Sequence, residues 1–395
     1  MKVVIFDHKT SDVGHYKYFN KHIIKLLDSE NVEIYMADYA RYFKRWYYNL
    51  NLEKAQLKII DVSEHVPPLR KIESQIKNPI KSMYFYEKEK KWYRDISKKI
   101  NSLHPDVVIL TSQGSPALYK IFDVNGTPIV MITHTAKEFL DSTWKKENGL
   151  FRLKLKKRVK LAQRFLNKLS SVVVLEEKTS KYLNNIGIKS FWIPYMLFSS
   201  EKQKEDERNL AIPNNKKFLI STVGIIYKGK NIEFVLNSLK KNRTVNFKYR
   251  IAGLPKEKYG QYIKRMAMEF SNEIVECRFE YLSDEDYAEE IKKSNFIVIP
   301  YVKARSDQAS GVFFDALRYN RPVITPDIDP FKNYIDKYKV GLTYKEGDYE
   351  SFINAVNLSM KLGTEHFLDN ILKFKEDFSY KKWKSRIQDF LKSLI

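Results

Sequence analysis

Residues Tyr301–Asp327 read YVKARSDQASGVFFDALRYNRPVITPD, and they lie inside one strand-helix-strand pattern. The apolar run Phe296–Pro300 predicts a buried strand just before them. A helix is predicted over Gly311–Tyr319, and Pro322–Thr325 predicts the next strand. Because two parallel strands joined through a helix need a right-handed crossover, the stretch predicts one unit of a parallel sheet.

The same alternation of apolar runs and helical patterns extends through the chain. The runs are rich in Val and Ile and lack a polar face, which is typical of parallel strands covered on both sides. They predict strands at Val3–Phe6, Val32–Tyr35, Leu57–Ile60, Val107–Thr111, Ile129–Thr133, Val172–Leu175, Phe218–Thr222, Phe247–Ala252, Ile274–Phe279 and Val340–Thr343. Further helices are predicted at Ile232–Lys240, Asp284–Lys293 and Tyr349–Met360. The predicted fold class is α/β with doubly wound sheets.

A polar segment divides this pattern into halves. Ser199–Arg208 reads SSEKQKEDER and has no apolar periodicity, which predicts a solvated linker. A chain of 395 residues also exceeds what one core usually serves. We therefore expect two Rossmann-like domains, at residues 1–197 and 210–375, which face a central cleft between the carboxyl ends of their sheets.

Composition limits the classes of protein to consider. A single cysteine, Cys277, permits neither an internal disulfide nor a cysteine-based zinc site, which favours a cytoplasmic location. Apolar windows stay below the roughly 18 residues of a membrane span, and MKVVIFDHKT at the start predicts a strand instead of a signal peptide. The net charge of +22 indicates a polyanionic partner, either nucleic acid, anionic lipid or phosphorylated substrate. A lysine-rich solvated surface is the plain alternative.

The junction of loop and helix at Ser310 and Gly311 is a candidate anion site. Ser310 is predicted to cap the helix, and Gly311 allows a ligand to approach the backbone. Unpaired amides at the helix start, including that of Val312, would bind phosphate. Asp315 follows one turn later on the same face, within reach of hydroxyls beside that phosphate. From these residues alone, a plain cap and a surface acid remain the alternative.

The segment from Asp307 to Asp315 resembles a motif of the retaining GT-B-fold glycosyltransferases of family 4, in which two acids are separated by seven residues. The resemblance extends over residues 215–395 and, more weakly, over 1–195. It implies a nucleotide diphosphate-sugar donor and a C-terminal helix, residues 376–395, that packs back on the first domain. It also implies that Asp315 binds the ribose hydroxyls and that Asp307 contacts the donor sugar. The family usually has glutamate at both positions.

A second segment, STVGIIYKGKNIEFVL at Ser221–Leu236, resembles the family's first strand, loop and helix of the donor domain. Lys230 falls where the family has a lysine on the donor pyrophosphate. Ile225 replaces the family's arginine, and Lys228 would compensate from the same loop. Together with the helix amides, the two lysines would stabilise the leaving diphosphate without a metal or any other cofactor.

In the first half, the resemblance implies a glycine loop after the first strand and a histidine that touches the donor sugar. The glycine loop would place Gly14 at the donor phosphates and His15 towards the acceptor, while the histidine would be His134. Ser112 and Gln113 follow another predicted strand and would line the acceptor side. A structural role is the common alternative for a lone histidine.

Basic and aromatic residues are interleaved in three places. Residues 151–169 contain eight basic residues and no acid, with apolar positions at helical spacing. Such a helix either lies on anionic lipid or packs its apolar face on the core and leaves a solvated cationic back. The aromatic-basic clusters Tyr42–Tyr48 and Met83–Tyr93 favour a membrane surface.

These observations predict a metal-independent hexosyltransferase, peripheral on the inner face of the cell membrane. It would transfer a sugar from a nucleotide diphosphate, with UDP as the first choice, to a saccharide or lipid-linked glycan in cell-surface polysaccharide or glycoconjugate synthesis. One alternative is a catalytically silent GT-B-like partner subunit, which Ile225 and the aspartate pair favour. Others are a nucleotide-sugar epimerase and a nucleic-acid-binding basic protein, although the sequence has no helix-turn-helix, zinc-finger or KH pattern. The sequence does not indicate the sugar, the acceptor or the oligomeric state.

Overall fold

The computed structural model describes residues 1–6, 15–29, 31–38, 52–61, 79–111, 115–133, 149–194, 198, 217–242, 245–302 and 310–395. The chain forms two compact units. Unit 1 comprises Met1–Tyr195 and Trp383–Ile395, and unit 2 comprises Met196–Lys382. Each unit contains a parallel sheet with helices, as the apolar runs predict. None of the helices in the described ranges has the length and apolar character of a membrane span.

Unit 1 is built on a seven-stranded sheet in the order β3-β2-β1-β4-β5-β6-β7. Its strands are β1 Lys2–Phe6, β2 Glu33–Asp38, β3 Gln56–Asp61, β4 Val107–Leu110, β5 Ile129–Thr133, β6 Ser171–Val174 and β7 Ser190–Trp192. All neighbouring strands pair in parallel. The strand β7 was not predicted, because three partly buried residues are too few to show a period.

The helices of unit 1 pack an aromatic core against this sheet. They are α1 His15–Leu27, α2 Pro79–Asn101, α3 Pro116–Ile121, α4 Gly149–Leu166 and α5 Glu177–Asn185. Phe6 of β1 stacks on Phe122, with ring centroids 5.8 Å apart, and also contacts Trp92 of α2. Trp92 and Tyr93, from the second aromatic-basic cluster, are therefore core residues, and the prediction that these two rings mark a membrane surface is wrong.

Helix α4 also packs its apolar face inward. Ala162 and Phe165 are fully buried in the same core. The exposed face carries basic side chains four residues apart, namely Lys156, Lys160 and Arg164, and Lys168 follows in the turn after the helix. Of the two interpretations of this helix, the core-facing one with a solvated cationic back applies to the described residues.

Unit 2 is built on a six-stranded sheet in the order β10-β9-β8-β11-β12-β13, again with parallel pairing throughout. Its strands are β8 Phe218–Val223, β9 Phe247–Ala252, β10 Val275–Arg278, β11 Phe296–Val298, β12 Val323–Pro326 and β13 Gly341–Tyr344. The predicted strands of this half agree with them to within two residues at each end. These runs were identifiable because most of their residues are buried, as is typical of parallel strands that helices cover on both faces.

The remaining helices connect these strands and close the chain. They are α6 Ile232–Lys241, α7 Glu257–Ala267, α8 Asp284–Lys292, α9 Gly311–Arg318, α10 Phe331–Tyr338, α11 Tyr349–Leu362, α12 Leu368–Asp377 and α13 Tyr380–Lys392. The end of α13 belongs to unit 1, where Trp383 meets Trp192 of β7 edge-on at 5.0 Å. Phe390 stacks on Phe191 at 4.3 Å. The C-terminal helix thus covers the last strand of the first sheet.

Candidate functional site at the switch point of the second sheet

The order of strands in unit 2 reverses between β8 and β11. These two strands are neighbours, with Phe296 opposite Ile220, although two other strands lie between them in the sequence. In open parallel sheets, ligands bind outside the carboxyl ends of the strands at such a switch point. The two segments singled out in the sequence, the loop after Val223 and the helix that begins at Gly311, follow these two strands.

Two glycines bring the loops after β8 and β9 together. Gly224 has a φ of 94° and Gly253 a φ of 144°, which are conformations that other residues rarely adopt. A Cβ atom on Gly253 would lie 2.1 Å from the carbonyl oxygen of Gly224, so glycine is required there. Beyond the glycines, the amide of Ile226 donates to the carbonyl of Leu254 at 2.9 Å. The loops therefore form a fixed wall on one side of the switch point.

Lys230 is buried at this wall, with only 3% of the residue exposed. It ends a 3₁₀ turn, Lys228–Lys230, and its Nζ donates to the carbonyl oxygen of Val223 at the end of β8. Burial lowers the pKa of Lys230 to about 7, because the charged amine loses its hydration. Lys228, in contrast, is exposed. Of the two lysines predicted to hold an anion, one is a solvated charge and the other a desolvated amine.

The start of α9 presents unpaired polar groups. Within the described residues, the Ser310 Oγ atom has no hydrogen-bond partner although only 4% of the residue is exposed. The prediction that its side chain caps the helix is wrong, since the hydroxyl reaches no amide of the first turn. Its carbonyl accepts from Phe313 at 3.2 Å, whereas the amides of Gly311 and Val312 donate to no described acceptor. A buried hydroxyl and two unpaired amides at a helix start suit an anion.

Asp315 lies one turn further along α9 with its carboxylate held from two sides. Its side chain is 19% exposed, and Oδ2 accepts a hydrogen bond from the Tyr287 hydroxyl at 3.1 Å. Arg318 Nη1 lies 4.0 Å from Oδ1. Burial nevertheless raises the pKa of Asp315 to about 6, against the lowering effect of Arg318 and Tyr287. The carboxylate is thus ionised at neutral pH in a place that disfavours its charge.

Tyr287 joins the two sides of the site. Its ring would lie 3.5 Å from a Cβ atom on Gly224, and that same Cβ would lie 3.2 Å from Lys230 Nζ. Its hydroxyl meets Asp315, so loop, α8 and α9 are in continuous contact. The sequence did not indicate Tyr287, because no spacing rule relates a residue of α8 to one of α9. A tyrosine in the amphipathic pattern of α8 was the only available signal.

The other predicted site residues are not covered. Asp307, His134, Gly14, Ser112 and Gln113 lie outside the described residues. His15 begins α1, but its side chain is not among those described. Their roles remain predictions. In the described ranges, no group of three or more His, Cys, Asp or Glu side chains could hold a metal ion.

Comparison with known proteins gives a family match for the second unit and neighbours in fold for the whole chain. Residues 202–373 match the family model "Glycosyl transferases group 1". The UDP complex of HepE from Anabaena has a TM-score of 0.65 at 13% identity, over 100% of both chains. Sucrose-phosphate synthase from Thermosynechococcus elongatus has a TM-score of 0.62 at 11% identity, over 100% of this chain and 99% of that one. No curated protein sequence matches the chain. The predicted GT-B fold, with two parallel-sheet domains, is confirmed.

Proposed function

We propose that this chain, a glycosyltransferase with the GT-B fold and a group 1 domain in its second unit, transfers a hexose from a UDP-sugar to a saccharide or lipid-linked glycan with retention of configuration. One observation carries the proposal. The Ser310 hydroxyl and the Gly311 and Val312 amides, which have no partner in the part of the chain that the structure describes, lie at the same switch point as the buried amine of Lys230. HepE from Anabaena, which is similar in fold, has been solved in complex with UDP and with UDP-glucose.

The chemistry follows from the charge that develops on the leaving diphosphate. Fixed amides and a buried amine stabilise such charge without reorganising when the glycosidic bond breaks. The helix start and the two lysines supply these groups, so we propose transfer that does not depend on a metal. Asp315 accepts hydrogen bonds from the ribose hydroxyls, and Asp307 and His134 contact the donor sugar. The departing phosphate, not a carboxylate nucleophile, assists attack on the same face of the sugar.

Calorimetry with UDP, ADP and GDP tests this function directly. We expect saturable binding with UDP preferred, and slow hydrolysis of a UDP-sugar in the absence of acceptor. A panel of UDP-sugars tested for thermal protection then identifies the donor. A catalytically silent partner subunit would bind none of them, and that result would contradict the proposal.

Ile225→Arg should tighten UDP binding about tenfold, because it adds a guanidinium that can pair with two phosphates at once. Ile225 is 46% exposed and follows Gly224 directly, so the change buries no charge. Calorimetry at constant ionic strength measures the effect. Ile186→Arg is the matched control, since Ile186 is also 46% exposed and lies in unit 1. Equal gains in the two variants would show a general effect of charge and no contact with the diphosphate.

We further propose that the enzyme works at the cytoplasmic face of a membrane, in cell-surface polysaccharide or glycoconjugate synthesis. The exposed basic face of α4 supports this, because each lysine or arginine near an anionic bilayer contributes about 1 kcal/mol of binding. The apolar face of α4 is buried in the core, so the attraction is electrostatic and does not involve insertion.

Lys160→Glu combined with Arg164→Glu should weaken binding to phosphatidylglycerol vesicles more than tenfold, since each reversal replaces attraction by repulsion. Co-sedimentation at low and high salt measures this, with phosphatidylcholine vesicles as the uncharged reference. The control is Lys332→Glu combined with Lys361→Glu, which changes the net charge equally in unit 2. Equal losses of vesicle binding in both pairs of variants would show that α4 is not the surface that contacts the membrane. Tight binding to DNA would favour the nucleic-acid alternative.

A further inference from the structure

The phenol of Tyr287 lies where it controls the Asp315 carboxylate. Its hydroxyl donates to Oδ2 at 3.1 Å, while its ring borders Gly224 in the loop that ends at Lys230. The charged groups around Asp315 are Arg318 on its own helix and Asp284 on α8. Arg318 is at the limit of an ion pair, with 4.0 Å between Nη1 and Oδ1. The phenol therefore makes the shorter of the two contacts.

Helix α8 is held firmly enough to fix that phenol. Glu290, three residues after Tyr287, has a side chain only 1% exposed and accepts hydrogen bonds from Arg250 Nη2 at 2.9 Å and Arg278 Nη1 at 3.1 Å. At the end of α8, Arg321 Nη2 donates a hydrogen bond to the Lys292 carbonyl at 2.7 Å. Forked guanidinium contacts of this kind restrain both partners. The helix is thus anchored in its last turn, at Glu290 and Lys292.

We infer that Tyr287 is a positioning residue for Asp315. Its hydrogen bond turns the Asp315 carboxylate so that the remaining lone pairs face the ribose hydroxyls of the donor. The inference rests on the proposed function for the identity of the ligand. A carboxylate has about four acceptor sites, so one bond from the phenol leaves enough for two hydroxyls. An aspartate side chain is short, and a fixed partner sets the direction of its carboxylate.

Tyr287→Phe tests the inference, because it removes the hydroxyl and keeps the ring against Gly224. We expect UDP to bind about tenfold more weakly, because the variant loses the hydrogen bond from Tyr287 to the charged carboxylate of Asp315. The kcat on a UDP-sugar should change little, since that carboxylate acts in binding the donor and not in the chemical step. The acid limb of UDP binding should move to higher pH, because a donated hydrogen bond favours the ionised carboxylate. Tyr262→Phe on α7, also a partly exposed tyrosine of unit 2, is the control.

A readout without ligand separates this inference from the proposed function. Carbon-13 NMR of labelled aspartate, with the Asp315 signal assigned through Asp315→Asn, follows the titration of the free protein. An upward shift of that titration in Tyr287→Phe supports the positioning role even if UDP fails to bind. An unchanged titration overturns it, as does a loss of UDP affinity that is equally large when Tyr287→Phe is added to Asp315→Asn. Absence of UDP binding in the wild type contradicts only the proposed function.

Discussion

Asp315→Asn weakens UDP binding about a hundredfold in our expectation, and it stabilises the ligand-free protein at the same time. The loss arises because the amide keeps one acceptor oxygen and presents an NH₂ group to hydroxyls that need acceptors. Hydrogen bonds to a charged acceptor contribute more than neutral ones, and two ribose hydroxyls depend on this carboxylate under the proposed function.

The gain in stability follows from the pKa of the carboxyl group. Burial raises the pKa of Asp315 from 3.8 to about 6 in the folded protein. The folded state thus holds its proton more tightly than the unfolded state, and the wild type loses stability as the pH rises from about 4 through 6. At one pKa unit per 1.4 kcal/mol, this amounts to up to about 3 kcal/mol at neutral pH, which Asp315→Asn recovers.

Urea unfolding at pH 4 and at pH 7.5, together with calorimetry of UDP at pH 7.5, measures both effects. Asp336→Asn is the matched control, because Asp336 is an exposed aspartate of α10 that pairs with Lys332 at 2.8 Å. It should leave UDP binding unchanged. A variant at position 315 that binds UDP as well as the wild type would remove Asp315 from the site, whatever its stability.

How much the sequence predicts depends on what each residue contacts. The inner parallel strands were predictable because their residues are buried on both faces of the sheet. They therefore form uninterrupted apolar runs, such as Val3–Phe6 in β1. The switch point between β8 and β11 was not predicted, because the succession of strands along the chain does not set which strands are neighbours in the sheet. Lys230 and Asp315 were identified by resemblance and by their place after β8 and in α9, and the structure links them through one tyrosine.

What the sequence did not predict depends on contacts between elements. Ser310 has the residue type of a helix cap, but its hydroxyl is buried and has no partner among the described residues. Capping needs a side-chain direction, which the sequence does not set. Trp92 and Tyr93 lie between basic residues as interfacial rings do, yet the helix places them in the core. In both cases the residue type was compatible with two environments, and the packing of α9 and α2 decides between them.

Lys230→Met should lower kcat/KM for a UDP-sugar about a hundredfold, because removal of one fixed donor to developing charge has an effect of that size. Methionine fills the space of the buried lysine side chain and has no amine whose charge would be desolvated. In the wild type, the pKa of Lys230 falls from 10.5 to about 7 on folding, so the unfolded state holds the proton more tightly. Wild-type stability must then rise between pH 7 and 10, by up to about 5 kcal/mol, whereas Lys230→Met should lack this rise.

Proton uptake distinguishes a phosphate-binding amine from a structural one. At pH 8 the amine of Lys230 is mostly neutral in the free protein, and a bound diphosphate favours its charged form. UDP should therefore bind with uptake of about one proton, since its terminal phosphate, with a pKa near 6, is already ionised. Calorimetry in buffers of different ionisation enthalpy measures this uptake.

Lys230→Met should abolish the uptake of that proton. Lys217→Met should retain it, because the Lys217 amine also donates to a backbone carbonyl, that of Glu273 at 3.0 Å, but lies at the surface before β8. Lys230 and Asp315 both lie at the switch point, and the folded protein loses stability when either side chain is charged. A ligand with an anionic diphosphate and free hydroxyls stabilises both charges. UDP binding without proton uptake in the wild type would show that Lys230 keeps its bond to Val223 and only supports the loop.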